Sequence, residues 1–318
     1  MITKNDILDV CVKESHILTA VLYAEKSLHY TYNRMGSGSS YNRLLNIVKG
    51  LIMEEAFKSL LDSLSVKYDL LGCTHWTKKD KYDIGINNSR CDIKGFYISN
   101  SFNQRQLLMD RSWFLDCCAL VPSDQVESVN LKENDLYIFP FLIGTTVERA
   151  ANELPIQKRY YFVHDFFDYQ WIKNSGEPLG KLIIQLIGNR SLVLRIGGQG
   201  EDGELIIEQV ILNPSSTYQT NNTFQTALFL QMEELPNEIL KIMSQKNHLV
   251  HEVHPNNWGN IWFYDAKVFI TGGIYKGEFR EKSIEIPRFY KDCKQYTETK
   301  TINRSIPKKN LYPIDKFL

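Results

Sequence analysis

Between residues 179 and 212 the chain reads as three short runs, LGKLIIQLIGN, SLVLRIGGQ and ELIIEQVIL, in which apolar and polar residues alternate and Gly, Asn and Asp stand at the ends. A period of two sends successive side chains to opposite faces, so such runs bury their apolar residues as strands of an antiparallel sheet. An opposite pattern precedes them. In YNRLLNIVKGLIMEEAFKSLLDSL, apolar positions 45, 48, 52, 56, 57, 60 and 64 form one helical stripe, and Ser40 stands where an N-cap belongs. The change of character near residue 150 divides the chain into an N-terminal α/β region, 1–150, and a β-rich region, 151–318.

Within the first region, the apolar spacing from Ile7 to Leu22 predicts a helix over 4–33, and GSGSS at 36–40 reads as a flexible joint. Strand-like runs follow the second helix at 66–72, 81–87, 91–98, 113–121 and 135–143. In the second region a short helix is expected at 233–244, and NIWFYDAKVFITGGIY reads as two strands. Residues 282–318 then carry nine Lys or Arg against four Asp or Glu. No internal repeat is visible.

A chain of 318 residues with 43% hydrophobic and 23% charged side chains can build a full core, which excludes extensive disorder. Lys and Arg (37) balance Asp and Glu (37), so a polyanion would have to be met by a local basic patch. The first 26 residues are broken by charges every few positions, and no stretch of about 18 apolar residues occurs. These features predict a cytoplasmic protein with no membrane segment. The six cysteines lack CxxC spacing and are expected to be reduced core fillers, with Cys117 and Cys118 on opposite faces of a strand.

The stretch KYDIGINNSRCDIKGF, residues 81–96, places Asp83, Asp92 and Lys94 in an apparent hairpin, although Asp and Lys are poor strand formers. Turn formers Asn87, Asn88 and Ser89 join the strands. With Asn87-Asn88 as the turn the cross-strand partner of Asp83 is Asp92; with Asn88-Ser89 it is Lys94. Either way the three polar groups share one face, leaving Ile84, Ile86 and Ile93 to the other. Converging carboxylates repel unless a cation lies between them, and a hard divalent ion takes carboxylate oxygens, water and phosphate as ligands. A lysine beside such an ion suits phosphodiester hydrolysis, where it orients the attacking water or stabilises charge on the phosphate. The bland account is a surface hairpin with an incidental ion pair worth under ~1 kcal/mol.

Upstream, the helical segment KGLIMEEAF holds Glu54 four residues after Gly50. A helix with Glu, a strand with Asp and a strand with Asp-x-Lys, in that order, resembles the PD-(D/E)xK nuclease superfamily of restriction endonucleases and Holliday-junction resolvases. The resemblance covers residues 42–121. It implies a restriction-endonuclease-like mixed sheet flanked by helices, with Glu54, Asp83 and Asp92 as metal-binding carboxylates for Mg²⁺ or Mn²⁺, and Lys94 over the attacking water. Tyr82 stands where proline is frequent, and Asp92 replaces the commoner Glu. Glu55 adjoins Glu54, and only the Gly-x-x-x-Glu spacing favours Glu54. VFITGGIYKGEFREKS, nearer the C-terminus, is also similar to a segment of some phage and bacterial nucleases of this superfamily. The implied activity is metal-dependent endonucleolytic hydrolysis of DNA, with RNA left open, in restriction or anti-phage defence.

Other constellations have weaker claims. His248, His251 and His254 lack the HExxH arrangement and read as surface residues rather than zinc ligands. The glycine-rich RIGGQGEDGEL lies between two alternating strands, so it is a hairpin turn rather than a phosphate cradle. HWTKKDKYD offers an aromatic and three lysines before Asp83 for phosphate contacts, with a solvated loop as the alternative. Gln104, Arg105 and Gln106 follow the Asp-x-Lys strand and could steer nucleic acid. No P-loop is present, so energy-dependent translocation would need a partner ATPase. The β-rich region is expected to recognise substrate or a partner protein, and two-strand cutting would suit a homodimer. The alternative function is a non-catalytic nucleic-acid or protein binding module with a degenerate nuclease-like hairpin.

Overall fold

The computed structural model describes residues 1–31, 40–75, 78, 80–99, 101–128, 132–146, 161–163, 178–234, 237–246 and 248–318. Most of the Gly/Ser joint, and Trp76, Thr77 and Lys79 of the lysine-rich stretch, lie outside them. In chain order, β1 (Leu8–Cys11) precedes α1 (Glu14–Thr31) and α2 (Ser40–Ser63). Then come β2 (Tyr68–Asp69), β3 (Ile84–Ile86), β4 (Ser89–Ile93), β5 (Phe96–Tyr97) and α3 (Ser101–Met109). After β6 (Cys118–Pro122), α4 (Ser123–Val126) and β7 (Leu136–Thr145) lie the strands of the β-rich part. These are β8 (Tyr161–Val163), β9 (Leu182–Ile187), β10 (Leu192–Gln199), β11 (Leu205–Leu212), β12 (Thr217–Gln219), β13 (Thr226–Met232), β14 (Ile239–Ser244), β15 (Val250–Val253) and β16 (Trp258–Asn260). The chain closes with β17 (Tyr264–Tyr275), α5 (Lys276–Lys282), β18 (Ile284–Ile286) and β19 (Asn303–Pro307).

These elements form two compact units, one of residues 1–17, 49–145 and 264–318, the other of residues 18–48 and 146–263. The sequence pattern divides the chain once, at 150; the structure returns Tyr264–Leu318 to the first unit, because β17 pairs along β7.

The first unit is mixed α/β. Its seven-stranded sheet has the order β1-β17-β7-β4-β3-β2, with β5 also on β7. Only the β4 and β5 pairings to β7 are parallel, so the sheet is mixed. A second sheet runs β18-β19-β6. Strand β7, LYIFPFLIGT, is buried on both faces down to Gly144, which explains its almost unbroken apolar sequence. Phe141 packs 4.9 Å from the Phe114 ring, which itself lies 5.0 Å from Phe269. Pro140 breaks the ladder because it lacks an N–H, and the β7–β17 register shifts between Ile270 and Gly273. The Phe139 carbonyl is taken instead by the Thr271 hydroxyl at 2.5 Å and the buried Lys308 ammonium at 3.1 Å.

In the second unit two wholly antiparallel sheets, β11-β10-β13-β8-β16 and β12-β9-β14-β15, give side chains to one core. Leu194, Ile196, Leu230 and Leu212 meet Ile184, Leu186 and Leu240 there. RIGGQGEDGEL is the β10–β11 hairpin, as its flanking alternation predicts.

Several local expectations give way to tertiary pairing. The N-terminal helix begins only at Glu14, because Leu8–Cys11 pair with Lys267–Ile270 of β17. Ile7, Val10 and Val12 fit either period, and the open sheet edge decides. Where a helix is expected at 233–244, Ile239–Ser244 form a strand instead: Leu240, Ile242 and Ser244 alternate into the core as β14, between β9 and β15. The 66–72 run pairs only at Tyr68 and Asp69. At 113–121 the strand starts at Cys118, after a 3₁₀ turn over Arg111–Asp116 whose first N–H groups are capped by Asp110, with Ser112 N at 2.9 Å. The 91–98 strand is interrupted at Lys94 and Gly95. A Cβ on Gly95 would overlap the Met53 thioether, so the glycine lets α2 approach the sheet directly beside Lys94.

In the β3–β4 hairpin Ile84 pairs with Cys91 and Ile86 with Ser89, making Asn87-Asn88 the two-residue turn. Both have positive φ, 47° and 64°, the geometry in which Asn is tolerated and β-branched residues are not. Asn88→Val should therefore lower stability by about 1–2 kcal/mol, while Asn88→Gly should leave it nearly unchanged, as read from urea unfolding midpoints.

Candidate functional site

Asp83 stands one residue before the paired part of the hairpin, where its N–H donates to the Cys91 carbonyl at 3.0 Å. Asp92 is the parallel neighbour of Tyr137 on β7, and Lys94 continues that edge by donating its N–H to the Ile138 carbonyl at 2.7 Å. Asp92, Lys94 and Tyr137 consequently face one side of the sheet, and the Asp83 carboxyl lies within the field of the first two. Ile84 and Ile86 are buried, with Ile93 half-buried, on the other.

Lys94 is held from two sides. Its ammonium lies 2.6 and 2.8 Å from the Asp92 carboxylate oxygens and donates to Gln125 Oε1 at 2.7 Å. Gln125 sits on the single turn of α4, which enters the core through Val126. The Asp83 carboxylate accepts the Ile93 N–H at 2.6 Å.

The carboxyls are electrostatically linked. Burial pushes Asp83 up to about 7, with repulsion from Asp92 next, against the opposing pull of the Ile93 N–H and Lys94. Burial likewise drives Glu54 well above the usual carboxylate range; Asp83 is the largest charge acting on it, and Lys58 opposes. Helix α2 thus brings Glu54 within the field of the hairpin. Glu55 pairs with Lys58 at 2.8 Å, and the same ammonium is drawn by Glu54.

Three neighbours escape sequence reasoning. Asp80 adds negative charge to Glu54 and Asp83, and its own Oδ1 accepts the Thr74 N–H at 2.6 Å. Gln125 has only a Pro-Ser-Asp helix start nearby to mark it. The Tyr137 hydroxyl is buried without a hydrogen-bond partner among the described residues, and burial, then Asp92, pushes it upward. Arg280 opposes that rise, so α5, within the KGEFREKS segment, lies in the field of the same phenol.

The donor set matches a hard divalent cation: two half-buried carboxyls, Glu54 and Asp83, whose ionisation neighbouring negative charge opposes, would be relieved by one. As the side chains stand, no group of three His, Cys, Asp or Glu among the described residues is gathered closely enough to hold an ion. The histidine trio forms no such group either. His248 occupies a turn at φ 56°, His251 is on β15, and His254 stands 3.7 Å from Glu252. Gln104 is spent on the Ile98 and Gly144 carbonyls at 2.6 and 3.0 Å, whereas Arg105 and Gln106 line a surface cavity of about 640 Å³ with Trp113 and Lys294. No helix among the described residues is long and apolar enough to cross a membrane.

No protein-family model and no curated protein matches this chain.

A carboxyl raised on folding binds its proton more tightly in the folded state, so its contribution to stability declines as pH rises from about 4 to about 7 and is lost above that. The wild-type protein should therefore melt higher at pH 5 than at pH 8 by a margin that Asp83→Asn reduces. Thermal melts of both proteins across that range give the comparison.

Proposed function

We propose that the chain is a metal-dependent endonuclease that hydrolyses DNA phosphodiester bonds. The observation that carries this is the convergence of Asp92 and Lys94 on one face, with the Asp83 carboxyl in their field and the Glu54 carboxyl of α2 electrostatically tied to Asp83. Their order along helix, strand and strand, within a mixed sheet, supports a restriction-endonuclease-like arrangement. Glu54, Asp83 and Asp92 would hold Mg²⁺ or Mn²⁺, and the ion supplies Lewis acidity toward the scissile phosphate and makes a water more acidic.

The chain's own groups carry the rest. Lys94, its charge balanced by Asp92 and its direction set by Gln125, would orient the attacking water and stabilise negative charge gathering on the phosphate oxygens. Water oxygen bonds to phosphorus as the bridging P–O bond breaks, and the leaving oxygen takes a proton. The same chemistry would serve RNA. The β-rich unit is the natural place for substrate recognition, or for a partner protein such as an ATPase, and a homodimer would supply two cuts. Cytoplasmic restriction or anti-phage defence is the setting this activity suits.

A second reading rests on two observations: Lys94 is already satisfied by Asp92 and Gln125, and no three-ligand group is assembled among the described residues. On that reading the hairpin is structural and the protein is a non-catalytic binding module. Incubation of supercoiled plasmid, single-stranded DNA and RNA with Mg²⁺, Mn²⁺ or EDTA separates the two. Metal-dependent nicking or linearisation is expected, falling about 10²–10⁴-fold in Asp92→Ala and Lys94→Ala proteins whose circular dichroism is unchanged. No cleavage by folded wild type with either metal would favour the binding module.

A further inference from the structure

On the β4 edge the protein's own ammonium already occupies a carboxylate that a metal ion would need. The Lys94 Nζ lies 2.6 Å from one Asp92 oxygen and 2.8 Å from the other, so both oxygens are spent on it. The Lys94 and Asp92 side chains are only 18% and 22% exposed, and charges shielded to that degree are screened less by salt than surface pairs. The Asp83 carboxylate is engaged as well, by the Ile93 N–H at 2.6 Å. With both carboxylates so held, no three-ligand group is gathered among the described residues.

Two neighbours are placed to serve an exchange. Gln125 accepts a hydrogen bond from the same ammonium at 2.7 Å through Oε1, and the next residue of its turn, Val126, is buried in the core and anchors it. Tyr137 stands beside Asp92 in the parallel register, fully buried, and its hydroxyl has no hydrogen-bond partner among the described residues. A buried hydroxyl costs free energy while it lacks a partner, and Lys94 holds both oxygens of the neighbouring carboxylate.

Resting on the reading of Glu54, Asp83 and Asp92 as metal ligands, we propose that Lys94 is a resident counter-ion that regulates metal entry. A divalent cation gains Asp92 only when Lys94 gives it up. Gln125 keeps the displaced ammonium, and the Tyr137 hydroxyl donates to an Asp92 oxygen that Lys94 has left. An ammonium and a divalent ion repel each other, and two carboxylate oxygens do not serve both at contact distance. Lys94 is therefore a competitor in the resting protein. Held afterwards by a neutral amide alone, it has its charge free for a phosphate. Loading thus releases the lysine that would act alongside the ion, so the two become available together.

The test measures Mn²⁺ binding to the full chain by titration calorimetry and by loss of the free-ion paramagnetic resonance signal, without nucleic acid. Lys94→Met keeps the side-chain length and removes the charge, and should bind Mn²⁺ several-fold more tightly than wild type. Lys94→Gln gives the same comparison should the methionine variant not fold. Removing any nearby positive charge favours a cation somewhat, so the neutral change Gln125→Leu makes the distinction. It should weaken binding several-fold in wild type and leave Lys94→Met unaffected, because only a displaced ammonium needs that acceptor. Tyr137→Phe should weaken binding in both backgrounds, and Asp92→Asn should abolish it. Binding that is no tighter in folded Lys94→Met, that survives Asp92→Asn, or that Gln125→Leu alters equally in both backgrounds would overturn the inference. So would no binding by wild type and Lys94→Met alike. Tighter binding in Lys94→Met, with no cleavage of DNA or RNA by wild type, would uphold the exchange and refute the nuclease reading.

Discussion

Ten residues of β7 lie along twelve of β17, and the first unit is arranged around that antiparallel pair. Every other strand of the main sheet builds outward from it: β1 on β17, β4 and β5 on β7, β3 on β4, and β2 on β3. The pair survives a proline at its centre because the register shift, Thr271 and Lys308 together meet the needs of the interrupted ladder. Burial lowers the Lys308 ammonium to about 7, but the Phe139 carbonyl, Thr271 hydroxyl and Phe141 ring, 4.1 Å away, give it partners. A buried cation is tolerated there because removing it would leave a carbonyl with one partner fewer.

The hairpin sits one strand away from this scaffold, and its chemistry follows from that address. Parallel pairing with β7 places Asp92 beside Tyr137, and the tight turn brings Asp83 within the field of Asp92. Two carboxyls are thereby held together in a partly dry place, where burial and the charge of Asp92 oppose ionisation of Asp83. Lys94 compensates one of them from the neighbouring turn of strand, while Glu54 adds a further acidic group from the helix side. Such an arrangement is costly as pure architecture and useful wherever positive charge is to be bound.

Much of this was legible along the chain, for identifiable reasons. Alternation marked β9, β10 and β11 because each has one buried and one exposed face. The Asn87-Asn88 turn sufficed to bring Asp83 into the field of Asp92 and Lys94, since hairpin geometry is local. What could not be read depended on distant partners. Leu8–Cys11 become a strand only because β17, some 260 residues later, offers them an edge. Gln125 meets Lys94 across 31 residues, and Gln295 meets Cys118 across 177. The Glu55–Lys58 pair, which the helix phase alone does not show, is formed in the folded chain.

The discontinuous first unit has a consequence for synthesis. A ribosome completes β7 more than a hundred residues before it begins β17, so the most apolar strand of the chain emerges with a bare edge. The whole β-rich unit can fold in that interval, because none of its strands waits on residues beyond 263. The main sheet cannot. Its closure waits until β17 has emerged, and until then the nascent chain exposes a surface of the kind that chaperones cover and that aggregation exploits.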